Sequence, residues 1–247
     1  MDNFARSKAL NNIPAKKLQE ALSAVENNGD PDLNKKMIQA TAINRYAEAN
    51  IPIEYWSLKM ERDFKGDPNL KLKYDEYVND LKGNYLKGTS ICFAGSHGVG
   101  KSLVLTAILK KAVQKGYTAL YTDLSSVVST MISADNEEKY LARKELNLVD
   151  FLVIDEFDQR FMGSENAVDL YARSLEGVFR TRASNKLPTL MATNSPNIIQ
   201  SLHGPLKESI QSLMSGYITM FPVMGNDFRN MKPFDYFDKF VMPKLIK

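Results

Sequence analysis

Apolar and polar positions follow one another along this chain in two different rhythms. Up to residue 50 the rhythm is helical: Leu18, Leu22 and Val25 share a face after Pro14, and Asn28-Gly29 closes that segment. A second helix is predicted from Asp30-Pro31, with Leu33, Met37 and Ile38 at helical spacing, until Asn50-Ile51-Pro52 breaks the pattern. These helices read either as packing elements of the main domain or as a docking module for a partner protein. Residues 53–86 are polar, with Tyr55, Trp56, Phe64, Tyr74, Tyr77 and Tyr85 spread through charged sequence. Such aromatics are more often anchors on a domain than platforms for nucleic acid.

From residue 89 the rhythm changes to short apolar runs separated by helical stretches. The runs are TSICFA (89–94), YTALYT (117–122), FLVI (151–154), TLMAT (189–193) and YITMFPV (217–223). Five such strands predict an α/β fold, a parallel five-stranded sheet between helices, with a small helical segment at the N-terminus. The organisation that follows is a partner-docking segment at 1–50, a linker packing on the core at 51–88, the α/β domain at 89–230, and a tail at 231–247. That tail, aromatic and basic from Phe234 on, is too short for a full helical lid.

Composition narrows the classes. With 44% hydrophobic and 25% charged residues over 247 positions, disorder throughout is excluded. No apolar run approaches the ~20 residues that span a bilayer, and the polar start MDNFARSKALNN lacks the apolar stretch of a secretory signal. No membrane partner is expected, and the location is cytoplasmic, in a host's cytoplasm if the chain is phage-encoded. The single cysteine, Cys92, falls inside the first strand, so an intrachain disulfide and a cysteine zinc site are excluded and Cys92 reads as core. A net charge of +3 permits contact with nucleic acid without arguing for it.

The chemistry begins between the first strand and the helix after it. Gly95-Ser96-His97-Gly98-Val99-Gly100-Lys101-Ser102 fits the phosphate-loop pattern G-x-x-x-x-G-K-[ST] at every fixed position, with strand, loop and helix in the required order. Glycines let successive backbone N–H groups turn around phosphates, Lys101 reaches the β/γ oxygens, Ser102 is placed to hold Mg²⁺, and the helix from Leu103 adds its positive end. The chain is therefore expected to bind a nucleoside triphosphate through Gly95, Ser96, His97, Gly98, Val99, Gly100, Lys101, Ser102 and Leu103. The strand FLVI runs into Asp155-Glu156. Beyond the carboxyl end of a parallel strand, Asp155 is placed for Mg²⁺ and Glu156 to orient and deprotonate an attacking water. The strand TLMAT runs into Asn194, which is placed to hold that water or the γ-phosphate; a turn at Asn194-Ser195-Pro196 is the plainer alternative. Hydrolysis is favoured over transfer to a small molecule. The imidazoles of His97 and His203 have no metal-ligand company.

These residues resemble an AAA+ ATPase, and specifically the DnaC/DnaI/IstB group of helicase loaders and transposition helper ATPases, over about residues 50–230. The likeness rests on Ile51-Pro52 followed by Tyr55, on Lys115-Gly116-Tyr117, and above all on Arg182 to Asn194, an arginine, a short polar stretch, Pro188 and a Thr-Asn ending. It implies strand order 5-1-4-3-2, Asp155 and Glu156 as the Walker B pair, and Asn194 as sensor 1. Gly225-Asn226-Asp227-Phe228-Arg229 is similar to the group's closing G-x-S-x-R, with Asp227 in place of the serine, and makes Arg229 a sensor 2 candidate. The group's arginine-rich stretch after sensor 1 is here Lys207 to Leu213 without an arginine, so hydrolysis is expected to be slow without a partner; Arg180, Arg182 and Lys207 are possible substitutes. The resemblance implies ATP and Mg²⁺ as cofactors. As partners it implies a hexameric replicative helicase and single-stranded DNA, in an ATP-dependent homo-oligomer or a helicase-bound assembly. The alternatives are a transposition helper acting on duplex DNA and an ATP-switch adaptor that hydrolyses weakly. Lys139, Arg143 and Lys144 read as a solvated helix face with a DNA role open.

Overall fold

The computed structural model describes residues 33–133, 135–158, 165–195, 211–212, 216–225 and 227–228. The helix expected from Pro14, His203, Lys207, Arg229 and the tail lie outside the described residues.

Strands β1 (Ser90–Gly95), β2 (Ala119–Asp123), β3 (Phe151–Asp155), β4 (Thr189–Thr193) and β5 (Ile218–Val223) form one parallel sheet in the order β2-β3-β4-β1-β5. Read from the other edge this is 5-1-4-3-2, the order the resemblance implies. Every residue of β1, β3 and β4 is buried, as it must be where helices cover both faces of a sheet. Because side chains alternate along a strand, neighbouring residues enter different cores. Ile91, Phe93, Val153, Leu190 and Ala192 face a core built on α5 (Lys101–Gln114). Cys92, Leu152, Ile154 and Met191 face a second core formed with α6 (Leu124–Ser133), α7 (Asn136–Leu148) and α8 (Glu165–Ser184). Burial pushes the Cys92 thiol up to about 12, so it packs as an inert small apolar group.

The chain before β1 closes the first core. It contributes α1 (Leu33–Glu48), a 3₁₀ turn at Ile53–Tyr55, α2 (Met60–Asp63), α3 (Pro68–Asn79) and α4 (Leu81–Lys87). Asp67 caps α3 by accepting from the Asn69 N–H, with Pro68 at its first position, and left-handed Gly88 ends α4. Tyr74 and Tyr77 are buried in the core, while Tyr55, Trp56, Phe64 and Tyr85 pack half-buried against it; all six are anchors. At the end of α1, Arg45 Nη1 donates to the Val113 carbonyl at 3.0 Å and Tyr46 joins the core. Asn50 then takes a left-handed φ of 52°, which asparagine tolerates. This turn lays Ala49 and Asn50 along the outer edge of β2: the Tyr121 N–H donates to the Ala49 carbonyl at 2.7 Å, and Asn50 Nδ2 donates to the Tyr121 carbonyl at 2.9 Å. At the opposite edge, β5 carries the exposed Pro222, a residue tolerated in edge strands.

Lys110 fastens the segment after α1 to α5. Its ammonium is almost fully buried and donates to the carbonyls of Tyr55 (2.7 Å), Trp56 and Leu58. Burial pushes it down to about 8, against the pull of Asp63 and Glu61. Because the unfolded chain holds this proton up to about pH 10.4, the unfolded state binds more protons above pH 8, and stability from this group rises with pH there. Relative to Lys110→Met, the native protein is expected to gain about 1–2 kcal/mol between pH 8 and 9.5 in urea titrations. A constant difference across that interval would show that Lys110 holds its proton throughout.

Candidate active site

The phosphate loop connects the carboxyl end of β1 to the first turn of α5. Its course depends on two glycines with left-handed backbones, Gly98 at φ 76° and Gly100 at φ 94°. Gly100 caps α5, so the positive end of that helix and the loop amides face the same concavity. Lys101, buried in the first turn, donates through Nζ to the carbonyls of Gly95 (2.9 Å) and Ser96 (2.6 Å) and to Asn194 Oδ1 (2.9 Å). The phosphate-loop lysine and the residue past β4 are thus in direct contact, although 93 positions separate them in sequence. The strand register explains the meeting: Ala94 pairs with Thr193, and the next residues on each strand, Gly95 and Asn194, emerge together.

Asp155 ends β3 and is buried; Glu156 follows at the surface with φ 49°. A left-handed glutamate is uncommon, and strained backbones of this kind collect at functional sites. Both oxygens of Asp155 are engaged. Oδ1 accepts the Glu156 N–H at 2.8 Å, and Oδ2 accepts the Tyr121 hydroxyl at 2.6 Å. Each oxygen keeps an acceptor position. Among the described residues no cluster of three or more His, Cys, Asp or Glu side chains is arranged for a metal. The oxygen donors present, the Asp155 carboxylate and the Ser102 hydroxyl, fit a hard cation such as Mg²⁺, which takes one or two protein oxygens together with phosphate oxygens.

A cleft of about 700 Å³ adjoins the loop. Gly66, Asp67 and Pro68 line one wall, and Phe221, Val223, Gly225 and Phe228 line the other. It shares its boundary with the loop: a Cβ on Gly66 would press on the Val99 carbonyl, one on Gly98 would collide with the Asp227 carboxylate, and the Phe228 N–H donates to the Gly98 carbonyl at 3.1 Å. The volume lies in the range of small-ligand sites. Composition carried no signal for these residues, since the two walls are about 150 positions apart. Tyr121 was equally silent, an ordinary β-strand tyrosine until its hydroxyl is seen on Asp155.

The structure brings Gly95 to Leu103, Lys101 and Asn194 together, and sets Asp155 and Glu156 at the same carboxyl edge of the sheet. Arg229 lies outside the described residues. One expectation is overturned: Arg182 cannot serve as a finger to another subunit. The residue is 1% exposed, and its guanidinium donates to the carbonyls of Leu146 (2.8 Å), Val149 (2.9 Å) and Pro188 (2.7 Å) and to Thr189 Oγ1 (2.9 Å). Arg180 is exposed and paired with Glu176 at 2.7 Å. His97 is exposed on the loop.

Residues 91–210 match the model of the ATPase family associated with various cellular activities (AAA). This segment is an AAA domain. The replicative helicase loader DnaC of Escherichia coli is 30% identical to this chain over 136 residues, covering 53% of this chain and 51% of DnaC. The chain spans about half the length of the curated relatives it matches. In three dimensions the AAA domain and its flanks resemble AMPPCP-bound DnaA from Aquifex aeolicus, with a TM-score of 0.56, 22% identity, and coverage of 69% of this chain and 51% of that one. DnaI is similar to the same degree, at TM-score 0.56 and 18% identity, covering 72% of this chain and 93% of its own. These two likenesses concern the AAA+ fold.

Proposed function

We propose that this chain is an ATP-dependent loader of a replicative DNA helicase onto single-stranded DNA, with ATP binding and hydrolysis controlling assembly and release. The observation that carries this reading is the 30% identity to DnaC combined with a phosphate loop whose Lys101 is bonded to Asn194. ATP with Mg²⁺ would supply the triphosphate whose terminal bond is cleaved. The loop amides and Lys101 bind phosphate oxygens, the Ser102 hydroxyl and Asp155 hold the cation, and Asn194 orients the γ-phosphate or the attacking water. Glu156 takes the proton of that water. The cleft between Pro68 and Phe221 suits the nucleoside end.

A second reading, an ATP switch that turns over slowly alone, is favoured by the burial of Arg182 and the pairing of Arg180. Turnover by the purified chain that matches its rate with helicase and DNA present speaks against it.

The test of the loader reading mixes the chain with the replicative helicase of its source and a circular single-stranded DNA. Helicase retained on the circle is expected to rise several-fold with chain plus ATP, and to stay at background with a Lys101→Ala chain. Recruitment of a transposase to duplex DNA, with no effect on the helicase, identifies the transposition helper instead.

A further inference from the structure

We infer that Tyr121 is a positioning residue for Asp155, and that the turn after α1, by gripping the Tyr121 backbone, ties that helix to the metal-holding carboxylate. The inference rests on the ATPase reading above. Three hydrogen bonds converge on this one residue: its hydroxyl donates to Asp155 Oδ2 at 2.6 Å, its N–H to the Ala49 carbonyl at 2.7 Å, and its carbonyl accepts Asn50 Nδ2 at 2.9 Å. Within β2 the neighbours of Tyr121 face β3, so both of its own backbone groups turn to the outer edge, where Ala49 and Asn50 lie.

Among the described residues the hydroxyl donates to Asp155 Oδ2. At 2.6 Å from a carboxylate oxygen, which accepts, the phenol is the donor of this bond. A donor to one carboxylate oxygen and a backbone N–H to the other fix the rotation of the carboxylate plane. The remaining acceptor positions then point in a set direction. Without the hydroxyl one oxygen is free to rotate, and a cation finds a less ordered ligand. Because Ala49 and Asn50 hold the backbone of residue 121, a displacement of the end of α1 moves the hydroxyl with it.

The experiment compares Tyr121→Phe with the native chain in two titrations: ATP binding without Mg²⁺, and ATP turnover against Mg²⁺ concentration. Tyr121→Phe keeps the ring and the edge contacts. It is expected to bind metal-free ATP as the native chain does and to need roughly tenfold more Mg²⁺ for half-maximal turnover, the ratio corresponding to one charge-assisted hydrogen bond of ~1.4 kcal/mol. By the same linkage KM for Mg·ATP should rise by about the same factor, while kcat at saturating Mg·ATP falls less. Asn50→Gly keeps the left-handed turn and removes one grip, and is expected to shift the Mg²⁺ requirement in the same direction by less. A Tyr121→Phe protein that melts lower but shows the native Mg²⁺ requirement overturns the positioning role, and an unshifted Asn50→Gly overturns the tie to α1. If the native chain neither binds nor hydrolyses ATP, the ATPase reading itself fails and this inference with it.

Discussion

Replacing Glu156 by glutamine is expected to lower ATP turnover by about 10²- to 10⁴-fold, the span associated with losing a positioned general base, while ATP binding persists. Glutamine keeps the length of the side chain and the backbone strain at φ 49°, so the site geometry survives. What disappears is the ability to take a proton. Asp155 is not expected to replace it, because its side chain is buried and the acceptor positions that Tyr121 and the Glu156 N–H leave are the ones proposed for the cation. Equilibrium binding and single-turnover hydrolysis on the same preparation separate the two effects. Undiminished single-turnover hydrolysis by the Gln variant would move the base elsewhere.

Arg182→Met is expected to cost about 3–5 kcal/mol of folding stability, a large part of what a domain of this size possesses. The usual objection is that an apolar residue can replace a buried charge without loss when its ionic partner is replaced too. That escape is closed here, because the partners are main-chain carbonyls of Leu146, Val149 and Pro188, which remain in place and lose their donors. Methionine fills much of the volume, so the loss reads out hydrogen bonding rather than a cavity. Urea denaturation measures it, with Arg180→Ala as a control expected to change stability by less than ~0.5 kcal/mol, because its ion pair is exposed. A native-like midpoint for Arg182→Met would return this arginine to the pool of catalytic candidates.

Which parts of the molecule could be read from its amino acids depends on how far apart the interacting groups lie. The strands were legible because β1, β3 and β4 are buried on both faces and must be apolar throughout. The loop was legible because its glycines, lysine and serine act within eight consecutive residues. Boundaries slipped by one or two residues at β1, β2, β3 and β5, where Gly95, Asp123 and Asp155 extend ladders whose hydrogen bonds ignore side-chain polarity. Arg182 misled for another reason: a cation near the end of a helix normally faces solvent. Here five acceptors from two chain regions converge on it, and nothing local announces them. Tyr121 was illegible on the same grounds, with partners 72 and 34 positions away.

The turn at Ala49-Asn50 also has a bearing on how copies of the chain behave when crowded together. A sheet with bare rims invites another sheet to continue it, and such growth ends in aggregates. Here one rim is occupied at Tyr121 by the Ala49 carbonyl and the Asn50 side chain, and the other carries a proline that no added strand can use as a donor. Both rims are thereby blocked at one position each, which works against a sheet that grows from copy to copy.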